Sequence, residues 1–196
     1  MTRKRARAPG TGTDKREAIL SAALELFAER GFHGTAVPEV AKRARVAAGT
    51  VYLYFESKEA LVNALFQQWK SALFAELMRD FPVGGAIRKQ FHEIWQRLGR
   101  FATQHPEAFA FLELHHHGYL DATSRRMEED GLRQFQAIIE GAQASKVMKA
   151  GSSELLMALA YGAFVGLLKG QAHGYLKLTP SVLDSAEDIV WQALRR

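Results

Sequence analysis

The chain has 196 residues, of which 47% are hydrophobic and 24% are charged, and its formal net charge is +5. This apolar fraction is too high for a disordered chain and is typical of one or two globular domains. There are no cysteines, which excludes disulfides, thiolate metal sites and cysteine nucleophiles.

The excess positive charge lies at the amino terminus. Residues 1–16 contain six basic residues and one acidic residue, whereas residues 17–196 are close to neutral, with 20 basic and 20 acidic residues. This first segment lacks the apolar core of a secretory signal, which favours a cytoplasmic protein. A short basic arm suits binding to nucleic acid or to an anionic surface. The alternative is a solvated tail without a partner.

Helical periodicity runs through most of the chain and begins with a helix from Asp14 to Gly31. Asp14 followed by Glu17 three residues later is typical of a helix start, and a glycine is typical of a helix end. A second short helix with Thr35 as its cap and a third at about 48–55 follow. Two short helices joined by a tight turn predict a helix-turn-helix unit.

Longer helices are predicted after residue 60. Ser57 is expected to cap the fourth helix, and five more are predicted at about 86–103, 106–119, 123–144, 152–176 and from Thr179 onward. Strand patterns are scarce, so the predicted fold is all-α with about nine helices. The longest apolar run, 155–168, has 14 residues, whereas a membrane span needs about 20. It therefore predicts a buried helix.

One segment, AGTVYLYFESKEALV at 48–62, carries a specific resemblance. It closely resembles the signature of the tetracycline-repressor (TetR) family of bacterial regulators. In that family a Gly-Thr-apolar-Tyr-x-x-Phe run forms the recognition helix, and Ser/Asn-Lys-Glu-x-Leu begins helix 4. These runs correspond to 49–55 and 57–61 here, and residues 19–46 resemble the family's first two helices. The resemblance is specific over residues 15–65.

The resemblance implies both an architecture and a function. The architecture is a flexible basic arm at 1–13, a three-helix DNA-binding head at 14–60, and a helical ligand-binding and dimerisation core at 61–196. The function is that of a homodimeric transcription factor, usually a repressor, which binds palindromic double-stranded operator DNA at the nucleoid. A small-molecule effector would release it. The implied DNA contacts are Thr35, Ala48, Gly49, Thr50, Tyr52, Tyr54 and Lys58.

Two positions depart from the family's pattern. Ala47 stands where members often carry a capping residue, and Ala48 stands where the side chain is often polar or basic. Alanine can touch a thymine methyl group but cannot read a hydrogen-bonding edge. Sequence discrimination is therefore expected to depend on Thr50, Tyr52 and the shape of the DNA. The alternative for Tyr52 is a packed aromatic residue within the small head.

The core contains enough aromatic residues to line a cavity for an apolar or aromatic effector. The candidates are Phe91, Trp95, Phe109, Leu112, His116, Tyr119 and Phe135. The alternative is that they form ordinary core. The run His115–His117 does not predict a metal site, because three successive residues cannot face one way on a helix. No metal and no cofactor are predicted.

Four small residues recur at four-residue spacing in the apolar helix near the carboxyl terminus. Such a strip allows close approach of another helix, which would offset a cost of about 1 kcal/mol in helix propensity per glycine. Together with the last helix, it predicts a four-helix contact between two copies of the chain. The alternative is packing against the chain's own helices. The predicted interface residues are Ala158, Gly162, Gly166, Gly170, Val182, Ile189 and Val190.

Two other function classes compete with the regulator. One is a small helical enzyme, but the sequence contains no nucleophile elbow, P-loop, HExxH motif or glycine fingerprint that would support it. The other is a membrane-surface protein that would use the basic arm and the apolar run at 155–168. We therefore expect neither catalysis nor membrane binding, and salt-sensitive DNA binding is the observation that separates the three classes.

Overall fold

Nine helices make up the part of the chain that the structure describes. In the computed structural model this part comprises residues 12–114 and 118–196, and it contains no β-strand. In chain order the helices are α1 (Gly12–Arg30), α2 (Val37–Arg43), α3 (Ala48–Tyr54), α4 (Lys58–Met78), α5 (Ile87–Gln104), α6 (Pro106–Leu114), α7 (Ala122–Ala144), α8 (Ser153–Ala172) and α9 (Pro180–Leu194). The predicted all-α fold is confirmed.

Several helix ends follow directly from the residues that were expected to form them. Gly31 ends α1 in a left-handed conformation with φ 67°, and its amide donates to the carbonyl of Phe27 at 2.9 Å. Glycine adopts this conformation without steric cost. The hydroxyls of Ser57, Ser152 and Thr179 accept hydrogen bonds from the first turns of α4, α8 and α9. The predicted cap at Ser57 is therefore present, and Ser152 and Thr179 cap the helices that were expected to start there.

Several helix limits differ from the prediction, and the first is the start of α1 at Gly12, two residues before Asp14. Helix α6 ends at Leu114, short of residue 119. Helix α7 begins at Ala122, because the carboxylate of Asp121 caps it by accepting from the amide of Ser124 at 2.7 Å. Helix α8 ends at Ala172 because the chain folds back: the amides of Tyr175 and Leu176 both donate to the carbonyl of Gly170 at 3.2 Å.

The head and the core share one continuous hydrophobic cluster. Helix α1 packs on α6, where the rings of Phe27 and Phe111 lie 6.2 Å apart. Helix α4 runs without interruption from Lys58 to Met78. The expected division after residue 60 therefore falls inside a helix, and α4 physically joins the head to the core.

Candidate DNA-binding surface, cavity and dimer face

The turn between α2 and α3 is held by two backbone hydrogen bonds. The amide of Val46 donates to the carbonyl of Ala41 at 3.0 Å, and the amide of Arg45 donates to that of Lys42 at 3.2 Å. Arg45 adopts a left-handed conformation with φ 58°. This pattern is a Schellman turn, in which glycine is the usual residue. It fixes the direction in which α3 leaves α2, and it leaves the Arg45 side chain exposed.

Helix α3 is anchored on one face and open on the other. Val51 and Phe55 are buried beneath it, while Tyr52 is 52% exposed and Leu53 is 83% exposed. Since successive helical residues point about 100° apart, the helix presents a distinct outer face. Thr50 is half-buried at the edge of that face.

The structure places most of the predicted DNA contacts on or beside this outer face. Ala48 and Gly49 are exposed, and Tyr54 is partly buried against the core. Tyr52 is therefore not the packed aromatic residue that was the alternative. Arg45 and Leu53, which were not among the predicted contacts, are also exposed beside these residues.

The prediction that Thr35 contacts DNA is wrong. Its side chain is only 2% exposed, and its hydroxyl lies 3.1 Å from the carbonyl oxygen of Leu26 and 3.0 Å from that of Gly31. It therefore ties the end of α1 to the start of α2 and cannot reach DNA. It is also not the cap of α2: the N-cap is Ala36, whose amide donates to the Glu39 carboxylate at 3.1 Å.

Replacing Thr35 with valine, which keeps the shape but removes the hydroxyl, is expected to lower the free energy of unfolding by about 1–3 kcal/mol. The reason is that the single hydrogen bond that this hydroxyl can donate, shared between the carbonyl oxygens of Leu26 and Gly31, is lost at a largely buried position. Urea unfolding measures the change, and Thr35→Ser, which keeps the hydroxyl, should lose less. A Thr35→Ser protein of normal stability that binds DNA poorly would instead make Thr35 a DNA contact.

Lys58 and Tyr119 meet at the junction between head and core. The Lys58 ammonium lies 4.0 Å above the centre of the Phe32 ring, a cation–π contact. The ring of Tyr119 stacks on Phe32 at 3.7 Å. Tyr119 is therefore a junction residue and does not line the cavity, contrary to the prediction. The ammonium of Lys58, predicted to contact phosphate, is engaged by an aromatic ring of its own chain.

An apolar cavity of about 360 Å³ lies among α4, α5, α7 and α8. Its volume falls within the usual range for small-molecule sites, about 300–1,000 Å³. Its walls are mainly aliphatic and aromatic, and they include Leu73, Phe74, Leu77, Ile87, Phe91, Ile94, Trp95, Leu98, Gly131, Phe135, Ile138, Ile139, Leu156 and Met157. Three of the predicted residues, Phe91, Trp95 and Phe135, are thus brought together.

Other predicted cavity residues lie elsewhere. Phe109 is buried against Phe164, with ring centres 5.9 Å apart, and Leu112 belongs to the same buried cluster. Both are ordinary core, because they face the packed interior of the bundle and not its cavity. His116 lies outside the described residues, as do its neighbours in the histidine run.

Three polar side chains line the cavity, namely Lys70, Glu128 and Tyr161. The Lys70 ammonium lies 3.6 Å from Oε1 of Glu113 and 3.9 Å from Oε1 of Glu128. Burial raises the pKa of Tyr161 well above its ordinary value, and the negative charge of Glu113 raises it further. The Tyr161 hydroxyl therefore stays protonated at neutral pH. The sequence did not reveal this group because its members come from four helices.

No group of three or more histidine, aspartate or glutamate residues within 12–114 and 118–196 is arranged to hold a metal ion. The polar groups at or beside the cavity are the ammonium of Lys70, the carboxylates of Glu113 and Glu128, and the hydroxyl of Tyr161. They fit hydrogen bonding and ion pairing with a ligand.

Helix α8 has an apolar face that its own chain leaves uncovered. By length and composition it could span a membrane, which for a single helix is weak evidence, and only 22% of its apolar stretch is buried. The prediction of a buried helix is therefore wrong for the single chain. Leu155, Ala158 and Leu159 are exposed, and a Cβ added at Gly162 or Gly166 would meet nothing within 4 Å. Close approach of another helix is therefore possible along this face.

Two predicted interface residues are instead covered by their own chain. A Cβ added at Gly170 would lie 2.9 Å from the Tyr175 ring and 3.2 Å from Leu176. The glycine is thus required by the fold-back that ends α8. Val190 packs against the chain's own hydrophobic cluster. For these two positions the alternative of packing within the chain is correct.

Helix α9 is fixed beside α5 by a buried carboxylate. Glu187 accepts hydrogen bonds from Arg88 and, at 3.1 Å, from Gln96, and it lies 2.9 Å from Nδ1 of His92. This orientation leaves Ile189 70% exposed. Val182 is half-buried. Helix α9 therefore has an exposed side of its own, and it packs against α8.

Comparison with known proteins gives matches along nearly the whole chain. Residues 19–65 match the family model for bacterial regulatory proteins, tetR family, and residues 66–196 match the model for the tetracyclin repressor-like C-terminal domain. An uncharacterized HTH-type transcriptional regulator of Haemophilus influenzae is 25% identical over 94% of this chain and 97% of its own length.

Solved structures share the fold. A TetR family transcription regulator of Marinobacter aquaeolei VT8 superposes with a TM-score of 0.81 at 24% identity, over 93% of this chain and 96% of that one. The transcriptional regulator FadR of Bacillus subtilis, solved in complex with stearoyl-CoA, has a TM-score of 0.70 at 20% identity, over 90% and 95% of the two chains.

Proposed function

Because the chain belongs to the tetR family of bacterial regulatory proteins, we propose that it is a homodimeric repressor released from its operator by a small apolar molecule. The protein is a DNA-binding transcriptional regulator of the helix-turn-helix type. The proposal depends on two features observed together. Helix α3 is anchored on one face and open on the other, and the apolar cavity is bordered by α4, the helix that begins beneath the head.

The outer face of α3 is the proposed reading surface. Ala48, Gly49, Thr50 and Tyr52 would meet base edges or the backbone in the major groove, with Tyr54 at its margin. Recognition helices of this kind dock in the major groove with their side chains against the bases. Exposed Arg45 and Leu53 extend this surface. The basic arm at 1–13, most of which lies outside the described residues, would add non-specific affinity.

The uncovered face of α8 and α9 is the proposed dimer interface. Ala158, Gly162 and Gly166 would form its close-approach strip, with Val182 and Ile189 beside it. Two helices from each chain would then form a four-helix contact. A two-fold dimer carries two recognition helices, so the operator would be a near-palindrome with half-sites about one helical turn apart or somewhat more.

The cavity is the proposed effector site, with Phe91, Trp95 and Phe135 among its walls. Helix α4 contributes Leu73, Phe74 and Leu77 to the same walls and begins at Lys58 under the head. A ligand that displaces α4 would therefore move the heads. FadR of Bacillus subtilis, which shares this fold, was solved in complex with stearoyl-CoA, and this supports the proposal of an effector with an apolar part.

The remaining assignments follow from this function. We divide the chain into an arm (1–13), a head (14–60) and a ligand-binding and dimerisation core (61–196), with α4 as the connecting helix. The protein would act in the cytoplasm at the nucleoid, without a catalytic role, a cofactor or a membrane partner.

Replacing Tyr52 with alanine is expected to weaken operator binding about tenfold or more and to weaken binding to random DNA less. The reason is that a base contact contributes only at the correct site, whereas phosphate contacts contribute everywhere. Fluorescence anisotropy with both duplexes at several salt concentrations measures the difference. Thr50→Ala should behave in the same way, and Val83→Ala, an exposed position in the α4–α5 loop, is the control.

Equal weakening on both duplexes would make these residues phosphate contacts. Footprinting on the DNA upstream of the protein's own gene tests the function as a whole, because regulators often lie beside their targets. A protected near-palindrome that is lost when a lipophilic compound is added is the expected result. Metabolite turnover or sedimentation with anionic vesicles, in the absence of DNA binding, would favour the enzyme or the membrane-surface protein instead.

A further inference from the structure

The polar groups of the cavity lie together at one end of it. Along α4 the lining runs from Lys70 to Leu77, a distance of roughly 10 Å at about 1.5 Å per residue. Lys70 is the only charged residue among the four α4 residues that line the cavity. Its ammonium lies within 4.0 Å of the carboxylate of Glu128, the first cavity residue on α7. The other end, around Ile87, Phe91 and Ile139, is apolar. The cavity therefore has a polar head and an apolar body.

The charges at the polar head do not balance. One ammonium, that of Lys70, faces two carboxylates, those of Glu113 and Glu128, at 3.6 Å and 3.9 Å. Both distances exceed an ordinary hydrogen bond. Oxygen Oε1 of Glu113 is buried and has no hydrogen-bond donor among the described residues. Tyr161, protonated for the reasons given above, adds no charge. One negative charge is left over, and its cost falls on Glu113, whose side chain is 11% exposed, more than on Glu128, whose side chain is 42% exposed.

A bound ammonium group would correct this imbalance. It could pair with Glu128, which lines the cavity, while Lys70 closes the remaining distance to Glu113 and donates to the unsatisfied oxygen. Two cations would then face two carboxylates. A carboxylate ligand would instead add a third negative charge beside a single ammonium.

We propose that the effector is an apolar molecule that carries a single primary or secondary ammonium group, bound against Glu128 at the polar end of the cavity. This inference rests on the proposed function, since it takes the cavity as the effector site. It specifies the chemical class of the effector, a lipophilic amine, and it excludes fatty acids as the preferred ligand.

Three compounds with the same chain and different heads test the proposal: decylammonium, decanol and decanoate. We expect calorimetry with the full-length protein at neutral pH, below the micelle concentrations, to show decylammonium binding about tenfold more tightly than decanol, because a charge-assisted hydrogen bond is gained. Decanoate should bind most weakly. Decanoate affinity equal to or above that of decylammonium would overturn the head-group assignment and leave the effector site intact. Binding by none of the three would overturn the effector site as well.

A pair of neighbouring variants sharpens the test. Glu128→Gln should reduce decylammonium affinity about tenfold and leave decanol affinity unchanged. Glu129→Gln removes the same charge from the next residue, whose side chain is 62% exposed, and should change neither affinity. The same order should appear in the release of operator DNA. Equal loss of decylammonium affinity in both variants would reduce the effect to general electrostatics and overturn the proposed contact.

Discussion

Replacing Gly166 with tryptophan is expected to produce monomers that no longer bind the operator. Gly166 lies on the uncovered face of α8, and a side chain added there meets nothing of its own chain within 4 Å. The monomer should therefore fold as before, and tryptophan also has a higher helix propensity than glycine. A second helix could no longer approach this face, because an indole ring would occupy the space between the two chains.

The expected loss of operator affinity is large because two linked heads bind far more tightly than one. When the first head is bound, the second is held at an effective concentration that can raise overall affinity by about 10²–10⁴-fold. Analytical ultracentrifugation measures the mass, and anisotropy measures binding. Gly141→Trp, at an open position on α7, is the matched control. A Gly166→Trp protein that remains dimeric and binds DNA would place the interface elsewhere.

Replacing Gly131 with leucine is expected to produce a repressor that binds its operator normally but ignores its effector. Gly131 lines the cavity from α7, and a Cβ there would lie 3.5 Å from the Phe74 ring, an ordinary contact distance. The rest of the side chain would occupy space now open to a ligand. Exchanging glycine for leucine inside a helix should also raise stability by up to about 1 kcal/mol.

Effector affinity of this variant should fall at least about 100-fold, because ligand and leucine compete for the same volume. The thermal shift produced by decylammonium reports ligand binding, and anisotropy with operator DNA reports the function of the head. Gly141→Leu makes the same exchange at the open position on α7 and should keep both properties. An unchanged ligand affinity in Gly131→Leu would show that the effector binds outside the cavity.

The order and type of the helices could be predicted because each apolar face repeats at helical spacing. Five apolar residues recur at helical spacing along α4, namely Val62, Phe66, Trp69, Leu73 and Leu77. All are buried except Trp69, which is partly buried against the same cluster. The ends of α6 and α8 could not be predicted. The end of α8 depends on a fold-back onto Gly170, and the helical pattern of the sequence continues past it.

The site was less predictable, because its properties depend on contacts between distant residues. The family resemblance predicted that Thr35 contacts DNA. Its structural role became visible only from the two carbonyl oxygens that lie within reach of its hydroxyl. Tyr119 has the character of a cavity residue, yet it stacks on Phe32 of the head. Lys70 and Glu128 are 58 positions apart in the sequence, so no local pattern marks their ion pair.

The continuity of α4 has a mechanical consequence. The buried amide of Asn63 ties this helix to the segment before α7, since it donates to the carbonyl of Tyr119 at 3.0 Å and accepts from the amide of Asp121 at 2.9 Å. Asn63 lies five residues from the head end of α4 and ten from Leu73, so a stiff rod pivoting there has arms of roughly 7 Å and 15 Å. With these arms, the head end of α4 would move about half as far as Leu73 does, and the force at the head end would be about twice the force applied at Leu73. A ligand that shifts Leu73 would therefore move the head end of α4 by a smaller distance, and it would do so with the greater force needed to act against the packing of α1 on α6.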